Sequence, residues 1–166
     1  HPSIAPGWPN YRAVEGLDYS TSGKESGARD LVKRLRDAAS DVLGVAPDIW
    51  HVHNHCLGKN LALPLAVRDL ADQGCRLLLQ PHDFSEDGRP SNFNALLRGL
   101  AENDMGKLGS ILYPVGDHVH YALLNGRDRS YLHAAGLPLE QSHLLHNGVW
   151  IGAIEVGNMP PEKASS

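Results

Sequence analysis

The sequence predicts an α/β fold: a Rossmann-like parallel sheet flanked by helices, in a single domain. Strand-like and helix-like segments alternate along the chain at roughly 30-residue spacing, which is typical of strand–helix–strand units. The run LLLQ at 77–80 is continuously apolar with one polar end, the pattern of a strand covered on both faces. Polar clusters follow several predicted strands, which is where parallel sheets bind their ligands.

The first half of the chain predicts two helices around a short strand. Apolar residues from Ala28 to Val42 recur at helical spacing and Gly44 follows them, so they form one face of an amphipathic helix. Pro64 stands in the first turn of the second helix, where proline is tolerated, and Gly74 ends that helix. In order, we predict a loop with room for one short strand (1–23), a helix (25–43), a strand (49–53), a turn (54–59), a helix (60–73) and a strand (77–80).

Glycines and polar residues divide the second half into shorter elements. Gly106 and Gly109 are expected to end the third helix, so the apolar run that begins at Ile111 is predicted as a strand. In order, we predict a polar loop (83–92), a helix (93–103), two strands (111–115 and 119–124), a helix (127–135) and a strand (142–145). Residues 1–155 are thus expected to form the domain, and 156–166 a fraying tail or a cut linker.

The composition indicates a single globular domain and argues against some classes of partner. The 166 residues suffice for one compact domain, and 42% of them are hydrophobic, which supports a real core. With 15 Lys and Arg against 19 Asp and Glu, the formal charge of −4 argues against a dedicated nucleic-acid binder. No apolar run is long enough to span a membrane, no signal peptide is recognisable, and two isolated cysteines favour a reducing compartment. We therefore expect a cytoplasmic protein.

Histidines and charged residues gather after three predicted strands. Because the ligands of open α/β sheets bind beyond the carboxyl ends of the strands, we expect these groups to share one cleft. The turn at 58–60 also opens a helix, whose free N–H groups could hold an anion together with Lys59. The groups are HVHNHCLGKN (51–60), His82 with Asp83 and Arg89, and Asn125 with Arg127 and Asp128.

Four segments, in this order, resemble the N-terminal domain of GT-B glycosyltransferases that use nucleotide sugars, in the glycosyl transferase group 1 or glycosyltransferase 4-like family. The third segment resembles a strand, then Ser or Asn, then a helix reading R-D-x-L-x-x-A-G. The fourth resembles the V-I-P-N-G-V strand that leads into the second domain, with His146 where proline is usual. The segments are DIWHVHNHCLGKNLALPLA (48–66), RLLLQPHDF (76–84), HYALLNGRDRSYLHAAGLP (120–138) and SHLLHNGV (142–149).

The resemblance implies roles for individual residues. His82 would be the catalytic residue at the sugar-transfer centre, where it hydrogen-bonds the transferred sugar or stabilises charge. His53 and His55 would line the acceptor cleft. The other residues expected to bind substrate are Lys59, Asn60, Asp83, Arg89, His120, Asn125 and Arg127.

The resemblance also implies a missing half. Nothing after Val149 resembles the donor-binding domain, and the family's opening strand is not recognisable in 1–23. We therefore expect the acceptor-side half of a GT-B enzyme, a retaining hexosyltransferase that is inactive without its C-terminal domain. Its expected partners are an acceptor sugar or glycoside and, through the absent domain, a nucleotide-sugar co-substrate, with no other cofactor and no metal. Peripheral membrane association of the full enzyme and homo-oligomerisation are further expectations.

A metal-dependent hydrolase is the alternative hypothesis. Alternate residues of a strand face the same side, so His51, His53 and His55 could point together. His82, with Asp83 or His118, could supply further ligands, as in metallohydrolases that begin with a His-x-His pair. A non-catalytic α/β binding module is a third interpretation of the same pattern.

Overall fold

A computed structural model describes residues 12–19 and 25–148 of the chain. These residues form one α/β domain in which strands and helices alternate. In chain order the elements are α1 (Glu25–Leu43), β1 (Trp50–His53), α2 (Ala62–Asp72), β2 (Leu77–Gln80), α3 (Pro90–Ala101), α4 (Met105–Leu112), β3 (Val119–Leu123), α5 (Gly126–Ala134), a 3₁₀ turn (Leu139–Gln141) and β4 (Ser142–Leu144).

The four strands form one parallel sheet, in the order β1-β2-β3-β4. Spatial order follows chain order, so each crossover joins adjacent strands in the same direction. Residues of α1, α2 and α5 pack against the same face of the sheet, as is expected of right-handed crossovers between adjacent strands. The Rossmann-like parallel sheet predicted from the sequence is therefore confirmed, and the carboxyl ends of all four strands meet at one edge.

The helix-covered face of the sheet carries the main core. Leu77, Leu79, Val119 and Tyr121 are almost fully buried there, against apolar residues of α1 and α2. Tyr121 also donates its hydroxyl to the carbonyl of Pro114 at 2.8 Å, which satisfies the polar end of a buried ring. The packing of α1 and α2 on this face holds the sheet in place, and with it the edge where the carboxyl ends of the strands lie.

The opposite face of the sheet is rich in histidine. His51, His53 and His143 are exposed there, and His120 is half-buried. His51 bonds through Nε2 to the Oε1 atom of Gln80 at 2.8 Å, and His120 bonds His143 at 3.0 Å. None of these side chains belongs to a core cluster in the described part of the chain.

A second apolar cluster joins α3 and α4, and it corrects one prediction. The predicted strand at 111–115 is wrong, because Ile111 and Leu112 belong to α4. The Asp104 carboxylate accepts from the backbone N–H of Lys107 and so begins the helix, in spite of its two glycines. With Leu108, these residues form a stripe at helical spacing that is buried against α3.

The other predicted helices and strands within the described residues are confirmed: 25–43 and 77–80 have the predicted bounds, and the bounds of the rest differ by one to three residues. The loop expected over 1–23 lies only partly in the described residues, where 12–19 form turns and bends. The tail expected at 156–166 lies outside them. No helix that the structure describes has both the length and the apolar character needed to cross a bilayer.

Candidate functional site at the carboxyl edge of the sheet

Asn54 joins the ends of β1 and β2. Its backbone adopts the left-handed conformation, with φ of 53°, directly after His53. Its side-chain Oδ1 atom accepts from the backbone N–H groups of His82, at 2.7 Å, and Asp83, at 3.3 Å. The segment that follows β2 is therefore held against the segment that follows β1, and this places the two histidines side by side.

His53 and His82 form a pair at this edge, with His53 Nδ1 and His82 Nε2 3.1 Å apart. One ring must donate and the other accept, so the bond requires at least one neutral imidazole. Partial burial, and then the neighbouring His51 and His82, lower the pKa of His53 below its ordinary value. The neutral form of His53 is therefore favoured, and the pair is exposed enough to meet a ligand.

The loop after β2 carries charge beside this pair. Asp83 and Arg89 form an ion pair at 3.2 Å, and both side chains are partly exposed. We call His53, Asn54, His82, Asp83 and Arg89 the carboxyl-edge cluster. The structure brings four of the predicted site residues into this cluster, and Asn54 is the member that the sequence did not single out.

A pocket of about 390 Å³ lies beyond β2 and β3, between the loop after β2 and helix α5. Arg127 crosses it, bonding Asp128 at 3.0 Å and Asp87 at 3.1 Å. Asn125 caps α5 through the backbone N–H of Asp128 and also donates to its carboxylate. We call this space the Tyr131 pocket, and it is lined by Phe84, Glu86, Asp87, Tyr113, Arg127, Asp128, Tyr131, Leu132 and Ala135.

His55 lies in the interior rather than in the cleft. Only 1% of its surface is exposed, and its Nε2 atom bonds the carbonyl of Leu112 at 2.8 Å. Burial lowers its pKa to about 4. The left-handed turn at Asn54 ends the alternation of β1, so His55 does not share a side with His51 and His53.

Lys59 and Asn60 have structural partners. The Lys59 amine lies 4.6 Å from the centre of the Tyr19 ring. The Asn60 side chain accepts from the backbone N–H groups of Ala62 and Leu63 and donates to two carbonyls of the 16–18 segment. The first N–H groups of α2 are therefore already bonded, which leaves little at this turn to hold an anion.

His120 lies on the histidine-rich face of the sheet, in the first half of β3, and bonds His143 there. It is therefore apart from the carboxyl edge. His118 is also distant from that edge, because its Nε2 atom donates to the carbonyl of Ala71 at the end of α2.

The metal-ligand set proposed for the hydrolase is not assembled. His55 faces the interior, away from His51, His53 and His82. Within 12–19 and 25–148, no group of three or more His, Cys, Asp or Glu side chains is arranged to hold a metal ion.

Of the residues that line the Tyr131 pocket, only Arg127 and Asp128 were singled out from the sequence. Glu86 and Asp87 were visible only as a polar run after His82, and Tyr113 was assigned to a strand. Tyr131 gave a usable sequence signal, because it is a large aromatic residue in a segment that is mostly polar. In the structure 68% of it is exposed.

Comparison with known proteins gives one partial similarity. No protein-family model matches the chain, and no solved structure matches it. Over 102 residues, 61% of the chain, it is 30% identical to a mannosylglucosyl-3-phosphoglycerate synthase of Petrotoga mobilis. The chain spans about a fifth (19%) of the length of that protein. It is thus similar, over part of its own length, to part of a protein named as the synthase of a sugar-bearing phosphoglycerate.

Proposed function

We propose that this chain is the acceptor-side part of a GT-B glycosyltransferase, which transfers a sugar from a nucleotide-sugar donor to an acceptor glycoside. The observation that carries the proposal is the partial similarity to a synthase whose named product bears two sugars. The parallel sheet, with histidines and charged groups at its carboxyl edge, is the kind of platform on which such a site is built.

His82 is the proposed catalytic residue. Sugar transfer passes through an oxocarbenium-like state, in which positive charge develops on the transferred ring. An imidazole ring at the mouth of the cleft can form a hydrogen bond with a sugar hydroxyl or stabilise that charge. His53 bonds His82 and holds its ring in place, since the two nitrogen atoms are 3.1 Å apart.

The remaining proposed contacts come from the loops around this pair. Asp83 and Arg89, already paired with each other, present hydrogen-bonding groups beside His82. Asn125 and Arg127 shape the neighbouring pocket through Asp128. His55 and Asn60 are not proposed as ligands, because both are buried and bonded within the fold.

A second domain completes the proposed site. In this proposal it grips the nucleotide part of the donor and closes over the acceptor, which excludes water from the reacting sugar. Retention of the anomeric configuration, a cytoplasmic location, peripheral membrane association and self-association belong to the same proposal. Each of these has its own direct measurement: product stereochemistry, cell fractionation, vesicle binding and sedimentation.

Transfer assays test the proposal. The 166-residue chain, alone and as part of a longer protein that carries the proposed second domain, is incubated with labelled GDP-mannose or UDP-glucose and with glucosylglycerate or its 3-phosphate. We expect transfer only by the longer protein. Transfer by the 166-residue chain alone would contradict the need for a second domain, and the absence of transfer from any nucleotide sugar by the longer protein would overturn the function.

A further inference from the structure

The Tyr131 pocket has a composition that selects its ligand. Three aromatic rings stand in its walls, and Phe84 and Tyr113 lie with their ring centres 6.3 Å apart. Tyr131, a residue of α5, lines the pocket and is 68% exposed. Exposed aromatic rings at the mouth of a pocket are costly in water, and they are typical of sites where an amphipathic ligand packs against the ring.

Carboxylate acceptors dominate the polar part of the pocket. Three carboxylates, those of Glu86, Asp87 and Asp128, stand against the single guanidinium of Arg127 and leave a formal charge of −2. The guanidinium is already bonded to Asp87 and Asp128. Ionised carboxylates offer only acceptor atoms, so the ligand must bring the donors.

Tyr113 and Ser85 orient one of these acceptors, the carboxylate of Glu86. Its hydroxyl donates to Glu86 Oε1 at 3.0 Å, and the buried Ser85 hydroxyl donates to Oε2 at 3.0 Å. Burial raises the pKa of Tyr113, so its hydroxyl stays protonated and keeps donating. Two donors thereby hold the carboxylate of the exposed Glu86 at the pocket, and its remaining lone pairs can accept from a ligand.

From these contacts we propose that the Tyr131 pocket binds an uncharged sugar ring of the acceptor. Tyr131 packs against the C–H face of the ring, while Glu86 and Asp87 accept from its hydroxyl groups. A phosphate or carboxylate group of the acceptor lies outside the pocket, because such groups are acceptors too and meet like charge there. The space of about 390 Å³ is near the lower end of ligand pockets, about 300–1,000 Å³, and suits one or two sugar rings.

That the bound sugar belongs to the acceptor rests on the proposed function. Binding of a sugar ring in the pocket is tested separately, by a binding measurement. The ¹⁵N-labelled 166-residue chain is titrated with methyl α-glucoside, methyl α-mannoside and, separately, glucose 6-phosphate. We expect saturable shifts at Asp87, Arg127 and Tyr131 with the neutral glycosides. Tyr131→Ala should weaken their binding about 5–10-fold, from loss of ring packing. Glu86→Gln should weaken it less, since the amide oxygen still accepts.

The control variant is Tyr19→Ala, which removes an aromatic ring that is 79% exposed and lies outside the pocket. It should leave the affinity for glycosides unchanged, and the amide spectra report whether each variant is folded. Stronger binding of glucose 6-phosphate in the pocket would overturn the inference. Shifts confined to His53 and His82 would also overturn it and leave the proposed function standing. Binding in the pocket by a longer protein that transfers no sugar would support the inference and overturn the proposed function.

Discussion

His53 and His82 approach each other across the ends of two neighbouring strands, with Nδ1 and Nε2 3.1 Å apart. The contact depends on Asn54, whose side chain holds the backbone of His82 at 2.7 Å. A left-handed residue after β1 therefore positions a histidine that comes 28 residues later in the chain. The pair is both exposed and oriented, which is the combination that a catalytic group needs.

His82→Ala should abolish most sugar transfer by the longer protein, by about 100-fold or more in kcat, because it removes the group at the developing charge. His133→Ala, an exposed histidine on α5 that bonds the carbonyl of Leu137, is the matched control and should retain activity. Steady-state kinetics with labelled donor measure both. Equal activities of the two variants would remove His82 from the mechanism.

His55 should make the domain sensitive to acid. Its folded pKa of about 4 lies below the ordinary value of 6.5, so the folded state favours the neutral ring. This stabilisation is complete above pH 6.5 and is lost as the pH falls towards 4, by up to about 3 kcal/mol. Urea unfolding at pH 7.5 and 4.5 should show a smaller acid loss in His55→Gln than in the wild type.

His133→Gln, which removes an exposed imidazole, is the control for this measurement. An acid loss in His55→Gln as large as that of the wild type would show that His55 does not govern the pH dependence. The lowered pKa of His53 acts in the same direction in both proteins, so the comparison between variants isolates His55.

Asn60→Ala should destabilise the fold by about 1–3 kcal/mol, because one side chain caps α2 and binds two carbonyls of the 16–18 segment. Asn60→Asp keeps the capping oxygen and loses the donors, so its cost should be intermediate. Thermal or urea unfolding gives the values. Asn147→Ala, at an exposed position, serves as the control. A cost of Asn60→Ala no larger than that of Asn147→Ala would contradict the structural role.

Gly58→Ala and Gly74→Ala should differ although both glycines have left-handed backbones, with φ of 77° and 75°. A Cβ atom at Gly58 would lie 2.9 Å from the Cβ atom and the backbone oxygen of Asn92, whereas a Cβ atom at Gly74 would meet nothing within 4 Å. We expect losses of roughly 3 and 1 kcal/mol in the free energy of unfolding. Urea titration of the two variants decides the point, and equal losses would show that close packing at Gly58 is not important.

The class of fold and most of its elements could be predicted from local patterns in the sequence. The apolar period of 25–43 and the apolar run of 77–80 are local patterns, and both elements have those bounds in the structure. The shared location of the polar groups could also be predicted, because parallel strands necessarily bring their carboxyl ends to one edge. The strand predicted at 111–115 was wrong because a short apolar run does not distinguish a strand from a buried helix turn.

Which of these residues face the cleft depends on contacts that local patterns do not report. One left-handed residue turned His55 into the interior, although it continues the alternation of His51 and His53 in the sequence. Asn60 is bonded to a segment more than 40 residues away, and Arg127 meets Asp87 across 40 residues. Periodicity reports the face of a single element, whereas a pocket is built from contacts between distant elements. His53 and His82 could therefore be predicted as site residues, but their contact with each other could not. The Tyr131 pocket depends on the packing of α5 against the loop after β2.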